Sequence, residues 1–526
     1  MTEKTSITVG KHILDTLTVG MYADNRIIFR EYIQNAADAI DKAVAEGVLA
    51  SRDEGRIDIT IDREKREIRI RDNGIGISHK NVGPILDIGR SQKTHEENRG
   101  FRGIGRLGGL AYCKELQFVT SYRGECFKTT TFWDCNELRK LLLDKNRNIS
   151  LIEAVDQVVL EPTTDSPEES DEHYFEVILS GIIEGHDNLL DIDDIQDYLS
   201  QVAPVPLNCT NLTAFKKINE KLEKLGKIPE EFNVYLNGEQ IYKPYKLQIR
   251  ISDKKGEDNT DLVKDISFFE DYKENGELFF LGWYGETELK GIIKNNNVNG
   301  LRVRKGNIQI GDNRTLDSFF GSESNQRFNR WFIGEIYVFD DNLIPNARRD
   351  DFEKNETYFK FKEAVEKTTT QQLAKLPYKF SKARSNEKAE REISQEIEKL
   401  EASLDAGITE TERKQILEQV GELEKKSKRI KPKSLVKIQS ISQNDNNQQP
   451  YQDKLVSRIS ELKDKAQFSK NFIVNKLPST MPRECKKVMS IVFEAIDREL
   501  PDEKQAKELK EHIVESLTPK GKENKR

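Results

Sequence analysis

Residues 31–41 read EYIQNAADAID, and this stretch decides what the N-terminal part of the chain is built around. Ile27, Ile28, Tyr32, Ile33, Ala36, Ala37, Ala39 and Ile40 give it an apolar surround. Glu31, Asn35 and Asp38 recur at i, i+4 and i+7, so at the helical period they fall within a stripe about 60° wide. A surface helix normally carries a broader polar side. Lys42 extends the same line and suits a solvated face, whereas the thinness of the line suits a polar cavity. The helix alone leaves both readings open.

Two glycine-bearing stretches follow it. RIDITID (56–62) and REIRIRD (66–72) alternate as two strands, with DREK joining them as a hairpin. The second strand runs directly into Asp72-Asn73-Gly74-Ile75-Gly76. The glycines permit a tight turn, and a carboxylate at a strand end accepts hydrogen bonds, which suits the exocyclic amine of a base. Alone, DNGIG is an ordinary turn. The other stretch is GRSQKTHEENRGFRGIGRLGGL, residues 89–110, in which Gly100, Gly103 and Gly105 fit GxxGxG. Closely spaced glycines expose backbone N–H groups, and a helix starting near Gly105 would add positive potential for phosphate. Arg90, Lys93, Arg99, Arg102 and Arg106 add cationic charge. The spacing is neither a Rossmann fingerprint nor a Walker A loop. Alone, it reads equally as a flexible loop.

Together the features are far more specific. ExxxNAxDA on a helix, DxGxG after a strand, and a glycine-rich stretch closing on GxxGxG resemble the Bergerat ATP-binding fold. That fold defines the superfamily of gyrase, the ninety-kilodalton heat-shock chaperones, histidine kinases and MutL (GHKL). The resemblance covers residues 20–125. It implies that Glu31 is the general base for the water attacking the γ-phosphate, that Asn35 coordinates Mg²⁺, and that Asp38 lies in the pocket. It implies further that Asp72 binds adenine beside Gly74 and Gly76. Gly100, Arg102, Gly103, Ile104 and Gly105 belong to the lid over the phosphates, with Lys93 as a further phosphate contact. The implied cofactors are ATP and Mg²⁺.

FREYIQNAADAIDK is similar to the heat-shock chaperones, whereas GFRGIGRLGGLAYCKELQFVTS is similar to MutL. RWFIGEIYVFDDNLIPNARRDDF (330–352) resembles a chaperone middle-domain stretch, and on that alignment Arg349 is the arginine that reaches the γ-phosphate. Lys305, in RVRKGN, is a second cationic candidate. One departure stands out: the family's adenine-contacting Thr falls at Phe175, in HYFEVIL. A histidine kinase is disfavoured, because no phosphoacceptor helix has room ahead of residue 31.

The fold class expected is mixed α/β (α+β). Residues 1–206 form a Bergerat-type helix–sheet sandwich and 207–380 a transducer-like α/β middle domain with a helix at 350–375. The acidic stretch 161–173 reads as an exposed loop, and FNVYLNG as a strand of the second domain. Residues 381–439 form a coiled-coil hairpin, with Ile393, Ile397, Leu400 and Leu404 as one seam and Ile416, Val420 and Leu423 as its continuation. Thr409 and Glu412 make a capping-box pattern. Residues 440–451 are a polar linker, and 452–526 hold helices near 452–466, 482–499 and 502–517 with a disordered tail. The stripe Val488, Ile491, Val492, Ala495 and Ile496 reads as a dimer interface or as intramolecular packing.

Composition limits the function classes. Over 526 residues, 36% are hydrophobic and 33% charged, which allows real cores beside exposed helices. The formal net charge of −7 argues against a dedicated nucleic-acid binder. The basic run KKSKRIKPK (425–433) reads as a solvated helix end or as a phosphate-binding patch. Five scattered cysteines make neither a disulfide framework nor a zinc site. No membrane span or signal peptide is expected, which points to the cytoplasm. The expectation is an ATP-gated clamp, a homodimer resembling the heat-shock chaperones and acting on client proteins. The alternatives are a MutL- or microrchidia-like DNA-associated clamp and a nucleotide-sensing scaffold.

Overall fold

The computed structural model describes residues 24–83, 105–144, 149–165, 167–208, 213–228, 230–252, 258–406, 408–430, 450–468, 472–473, 477–478 and 480–517. The chain divides into two compact units, 1–377 and 378–526.

The first unit opens with α1 (Ile27–Ala45), whose Ile28, Phe29, Ile33, Ala36, Ala37, Ile40 and Ala43 are buried. They pack on β1 (Arg56–Asp62) and β2 (Glu67–Asp72), where alternation puts Ile57, Ile59, Ile61, Ile68 and Ile70 into the same core. Each such isoleucine contributes about 1.5–3 kcal/mol of burial, so a one-residue slip of register would be heavily penalised. The hairpin is in register Ile59↔Ile70 and Ile57↔Asp72. Asp72 therefore ends β2 on the helix-facing side, where it is 5% exposed.

The sheet continues with β3 (Glu115–Ser121), β4 (Lys128–Asp134), helices α2 (Cys135–Leu143) and α3 (Leu151–Val158), β5 (Val159–Asp165), β6 (Tyr174–Ser180) and helix α4 (Ile192–Val202). Part of the acidic stretch expected as loop is thus strand: β5 pairs with β4 at the sheet edge. Edge strands bury little, which is why no apolar alternation marks this one.

Past α5 (Thr213–Lys224), strands β7 (Asn233–Leu236) and β8 (Glu239–Gln240) return to the same sheet, with β7 parallel to β1. The eight strands run β5-β4-β3-β6-β2-β1-β7-β8. The strand in FNVYLNG therefore belongs to the first sheet, and sheet continuity crosses the expected break at residue 206. The physical reason is that β1 needs a partner on its free side, and Val234 and Leu236 fill it from beyond the proline-rich PVPLN.

The remainder of this unit holds β9 (Gln248–Ser252), β10 (Asp258–Leu262), β11 (Asp265–Tyr272), β12 (Leu278–Glu286), β13 (Ile292–Ile293), β14 (Gly300–Lys305), β15 (Ile308–Ile310) and β16 (Ile333–Val338). They form a three-stranded sheet, β10-β9-β13, and a five-stranded sheet, β11-β12-β16-β14-β15. Helix α6 (Glu356–Gln371) follows, starting later than expected because Asn355 caps it by accepting from Tyr358 N.

In the second unit, α7 (Leu376–Asp405), α8 (Glu410–Arg429) and α9 (Pro450–Phe468) pool one core. The seam residues Ile393, Ile397, Leu400, Leu404, Ile416, Val420 and Leu423 pack with Leu455, Ile459 and Leu462 of α9. The expected two-helix hairpin thus gains a third helix. Helices α10 (Arg483–Glu499) and α11 (Glu503–Leu517) follow. Val488, Ile491 and Val492 are exposed, while Ser490 and Phe493 of the same helix are buried. No helix among the described residues is long and apolar enough to cross a membrane.

Candidate functional site

Helix α1 carries a polar stripe that is mostly buried. Glu31 and Asp38 are each 9% exposed, Asn35 is half-buried and Lys42 is exposed. The stripe is therefore not a broad solvated face: Glu31 and Asp38 are buried, Asn35 is partly exposed, and Lys42 at the C-terminal end is open to solvent. Sequence reading missed two neighbours. Arg30 is 6% exposed and Gln34 1%, although both are polar. Arg30 Nε lies 3.9 Å from Glu31 Oε1.

The turn after β2 closes one wall. Asp72 Oδ1 accepts from Gly74 N at 2.8 Å, and Ile75 N donates to Ala39 O of α1 at 3.1 Å. Gly74 has to be glycine because a Cβ there would sit 2.6 Å from Ala39 Cβ. Gly76 has φ +66, and a Cβ would collide with Ser121 O. Both glycines let the turn lie flat between α1 and β3.

Phe175 stands opposite Asp72 in the β2–β6 register and opposite Thr120 in the β3–β6 register. The position aligned with the family's Thr thus lies beside Asp72. The half-buried Phe175 ring stacks on Phe118 at 5.8 Å between centroids. Thr120, another residue that sequence reading passed over, accepts from Ile77 N at 2.8 Å and donates to Tyr174 O at 2.9 Å. Its hydroxyl braces the turn from β3.

Lys93, Gly100, Arg102, Gly103 and Ile104 lie outside the described residues. The glycine-rich stretch resumes at Gly105, where 105–111 form a 3-10 helix rather than an α-helix. Gly105 packs directly on the catalytic candidate: a Cβ there would overlap Glu31 Oε2. Gly109 N donates to Tyr32 Oη at 3.1 Å, fixing this segment on α1. Burial raises the Tyr32 phenol well above its ordinary range, so it stays protonated.

The last contributor comes from the region after β16. Arg349 Nε donates to Glu31 Oε1 at 3.1 Å. Arg349 has φ +57, a left-handed conformation that costs a non-glycine residue about 1–2 kcal/mol. The turn around it supplies the constraint. Arg349 N donates to Asn346 O at 3.1 Å, Asn346 N to Asp351 O at 2.9 Å, and Pro345 bridges Phe352. Arg30 Nη2 donates to Arg348 O at 3.3 Å, which ties the turn to α1. Lys305 is engaged differently. Its ammonium donates to Asp340 O, Asp341 O and Leu343 O at 2.8–3.2 Å, so it braces the stretch leading to Arg349.

The stripe donors are oxygen ligands, two carboxylates and one carboxamide, which suits a hard cation such as Mg²⁺. No cluster of three His, Cys, Asp or Glu ligands occurs among the described residues. Magnesium here would take most of its ligands from phosphate and water.

Residues 26–159 match the family model described as "Histidine kinase-, DNA gyrase B-, and HSP90-like ATPase". This domain belongs to the GHKL ATPase superfamily. Curated relatives match comparable lengths of the chain. Chaperone protein HtpG of Anaplasma marginale is 38% identical over 111 residues, 19% of this chain and 17% of the relative. HtpG of Geobacter metallireducens is 29% identical over 152 residues, 25% of this chain and 23% of the relative. HtpG of Fusobacterium nucleatum is 36% identical over 111 residues, 19% of this chain and 18% of the relative. The chain thus spans about a fifth of the length of the curated relatives it matches. The GHKL domain carries Glu31, Asn35, Asp38, Asp72, Gly74, Gly76 and Gly105, whereas Arg349 reaches it from outside the matched region.

Proposed function

We propose that the chain is an ATP-driven conformational machine of the heat-shock chaperone type, acting on client proteins. Its GHKL domain binds ATP, with Asp72 accepting from the adenine amine and the Phe175 ring beside it as an apolar wall. Asn35 holds Mg²⁺, which offsets phosphate charge. Glu31 orients and deprotonates the attacking water. Arg349 pairs with the γ-phosphate oxygens, a task its planar fork suits. Glycines 100, 103 and 105, with Arg102, Ile104 and Lys93, form the lid; Asp38 completes the pocket. The observation that carries this reading is the 3.1 Å contact between Glu31 and Arg349, which brings an acidic base and a phosphate-binding cation to one point from two parts of the chain.

The domain plan in this reading is an ATPase domain, a transducer and a helical module. The exposed Val488, Ile491 and Val492 stripe supports a homodimer contact in the last. Five scattered cysteines suit the reducing cytoplasm. The test compares steady-state ATP hydrolysis and suppression of aggregation of a thermally unfolded client in wild type and Glu31→Ala. The reading expects both activities in wild type and neither ATP-dependent activity in the variant. An aggregation assay indifferent to ATP, with hydrolysis stimulated by DNA and weakened by salt, would reject the chaperone assignment.

A further inference from the structure

Arg349 is held by more than its own turn. Its carbonyl accepts from Gly311 N at 2.8 Å. Gly311 has φ +71, and a Cβ there would lie 2.8 Å from Asp350 O, so residue 311 lies flush against the arginine's turn. Gly311 O accepts from Gln309 Nε2 at 2.9 Å, and Gln309 Oε1 accepts from Arg302 Nη1 at 2.9 Å. The same Nη1 reaches Gln201 Oε1, in the last turn of α4, at 3.3 Å. Arg302 Nη2 is fixed by Asn296 O at 2.5 Å. Arg302 and Gln309 are each 2% exposed.

The other end of α4 returns to the catalytic helix. Asp194 accepts from Arg26 Nη1 at 2.8 Å, and Arg26 sits immediately before α1, stacked over Tyr198 of α4 at 4.8 Å. Arg304 reinforces the distal end by donating to Gln201 O at 2.7 Å. Glu31, α1, α4, Arg302, Gln309, Gly311 and Arg349 thus form a closed circuit of covalent and hydrogen-bonded links.

We infer that Arg302 and Gln309 are positioning residues for Arg349, transmitting the placement of α4 against α1 to the arginine beside Glu31. A buried bidentate guanidinium and a carboxamide that both accepts and donates make the link directional, because each end of Gln309 has one partner. Neither residue touches Glu31. Their effect passes through the Gly311–Arg349 backbone contact, and misplacement of a reacting group by about 1 Å suffices to slow catalysis strongly.

The inference rests on the ATPase reading, and the experiment separates the two. Single-turnover ATP hydrolysis and ATP affinity are measured for wild type, Gln309→Glu, Arg349→Ala and the double variant. Gln309→Glu keeps the acceptor for Arg302 and loses the donor to Gly311 O. It should leave ATP affinity within about twofold and slow hydrolysis about 3- to 30-fold. In the Arg349→Ala background it should add no further loss, the non-additivity expected of groups acting through one another. Wild-type rates in Gln309→Glu, an equal loss in the Arg349→Ala background, or a parallel loss of affinity would each overturn the positioning role. Should Gln309→Glu fail to fold, Gln201→Ala at the half-buried end of α4 carries the same cycle, with a loss of about twofold that vanishes without Arg349. Wild-type hydrolysis no faster than Glu31→Ala would instead sink the ATPase reading itself.

Discussion

Arg349 Nε and Glu31 Oε1 stand 3.1 Å apart although 318 residues separate them in sequence. Neither residue is explained by its own neighbourhood. Glu31 is a carboxylate buried on a helix packed into an apolar core, and Arg349 occupies a left-handed backbone conformation. Each makes sense as half of a pair facing a common ligand.

Glu31→Ala should retain ATP binding and lose turnover by about 100-fold or more, the range for a general base. Isothermal titration gives the first quantity and phosphate release the second. Full hydrolysis in this variant would remove Glu31 from catalysis.

Arg349→Ala should slow hydrolysis on the order of 100-fold, as for loss of one charged donor aimed at developing charge. Stability should fall, because alanine gives up the ion pair with the buried Glu31 while the strained φ remains. Arg349→Gly relieves that strain as well, so its melting temperature should exceed that of Arg349→Ala. A lower value would show that glycine's greater unfolded-state entropy outweighs the relief of strain.

Asp72→Asn keeps an oxygen for Gly74 N and gives up the second carboxylate oxygen and the charge. ATP affinity should fall about 10- to 100-fold, the worth of a charged hydrogen bond. The melting temperature without nucleotide should move little. Unchanged affinity would take Asp72 out of the base site.

Glu335 is fully buried beneath Lys243, at 2.8 Å, and Arg304. Burial alone would raise its carboxyl, but the two cations outweigh it and hold the group at about 2. Full burial, with the like charge of Arg304, outweighs the attraction of Glu335 and Glu231, so the Lys243 ammonium falls to about 8. The signs follow by linkage. Glu335 contributes stability that is complete above its ordinary value of 4.5 and lost as pH falls towards 2. Lys243 protonation is disfavoured in the folded state, so its penalty is full below about 8 and fades as pH rises towards 10.5. Glu335→Gln takes away the carboxylate bonded to both buried cations and should cost about 3–5 kcal/mol in urea unfolding at pH 7. Its stability should also lose part of the acid slope between pH 4.5 and 2. An unaltered acid slope would assign that slope to other carboxylates.

Gly105→Ala should impair hydrolysis by pressing a methyl group on Glu31 Oε2. ATP turnover falls in this variant while the Asp72 side of the pocket, and hence ADP affinity, stays intact. Loss of ADP binding would mean that residue 105 supports the whole pocket.

Much of the site was legible in the sequence, for physical reasons. A period of 3.6 made the Glu31, Asn35 and Asp38 stripe visible, and strict alternation fixed which side of β2 would carry Asp72. Glycines 74 and 76 announced close backbone approach, and both are needed for it. Local patterns specify such features because they depend on neighbours within a turn or a strand. The return of β7 to the first sheet, the strand character of the acidic β5 and the third helix packed on the 393–423 seam were not legible. Edge pairing and helix docking are satisfied by distant partners that leave no periodic mark. Arg30, Gln34, Arg302 and Gln309 look like surface residues in sequence, and only the fold buries them. The sequence by itself determined the GHKL helix, turn and glycine pattern. The tertiary structure alone decided that Arg349, through Gln201, Arg302, Gln309 and Gly311, is delivered to Glu31, because hydrogen bonds between remote elements are chosen by packing and not by local propensity.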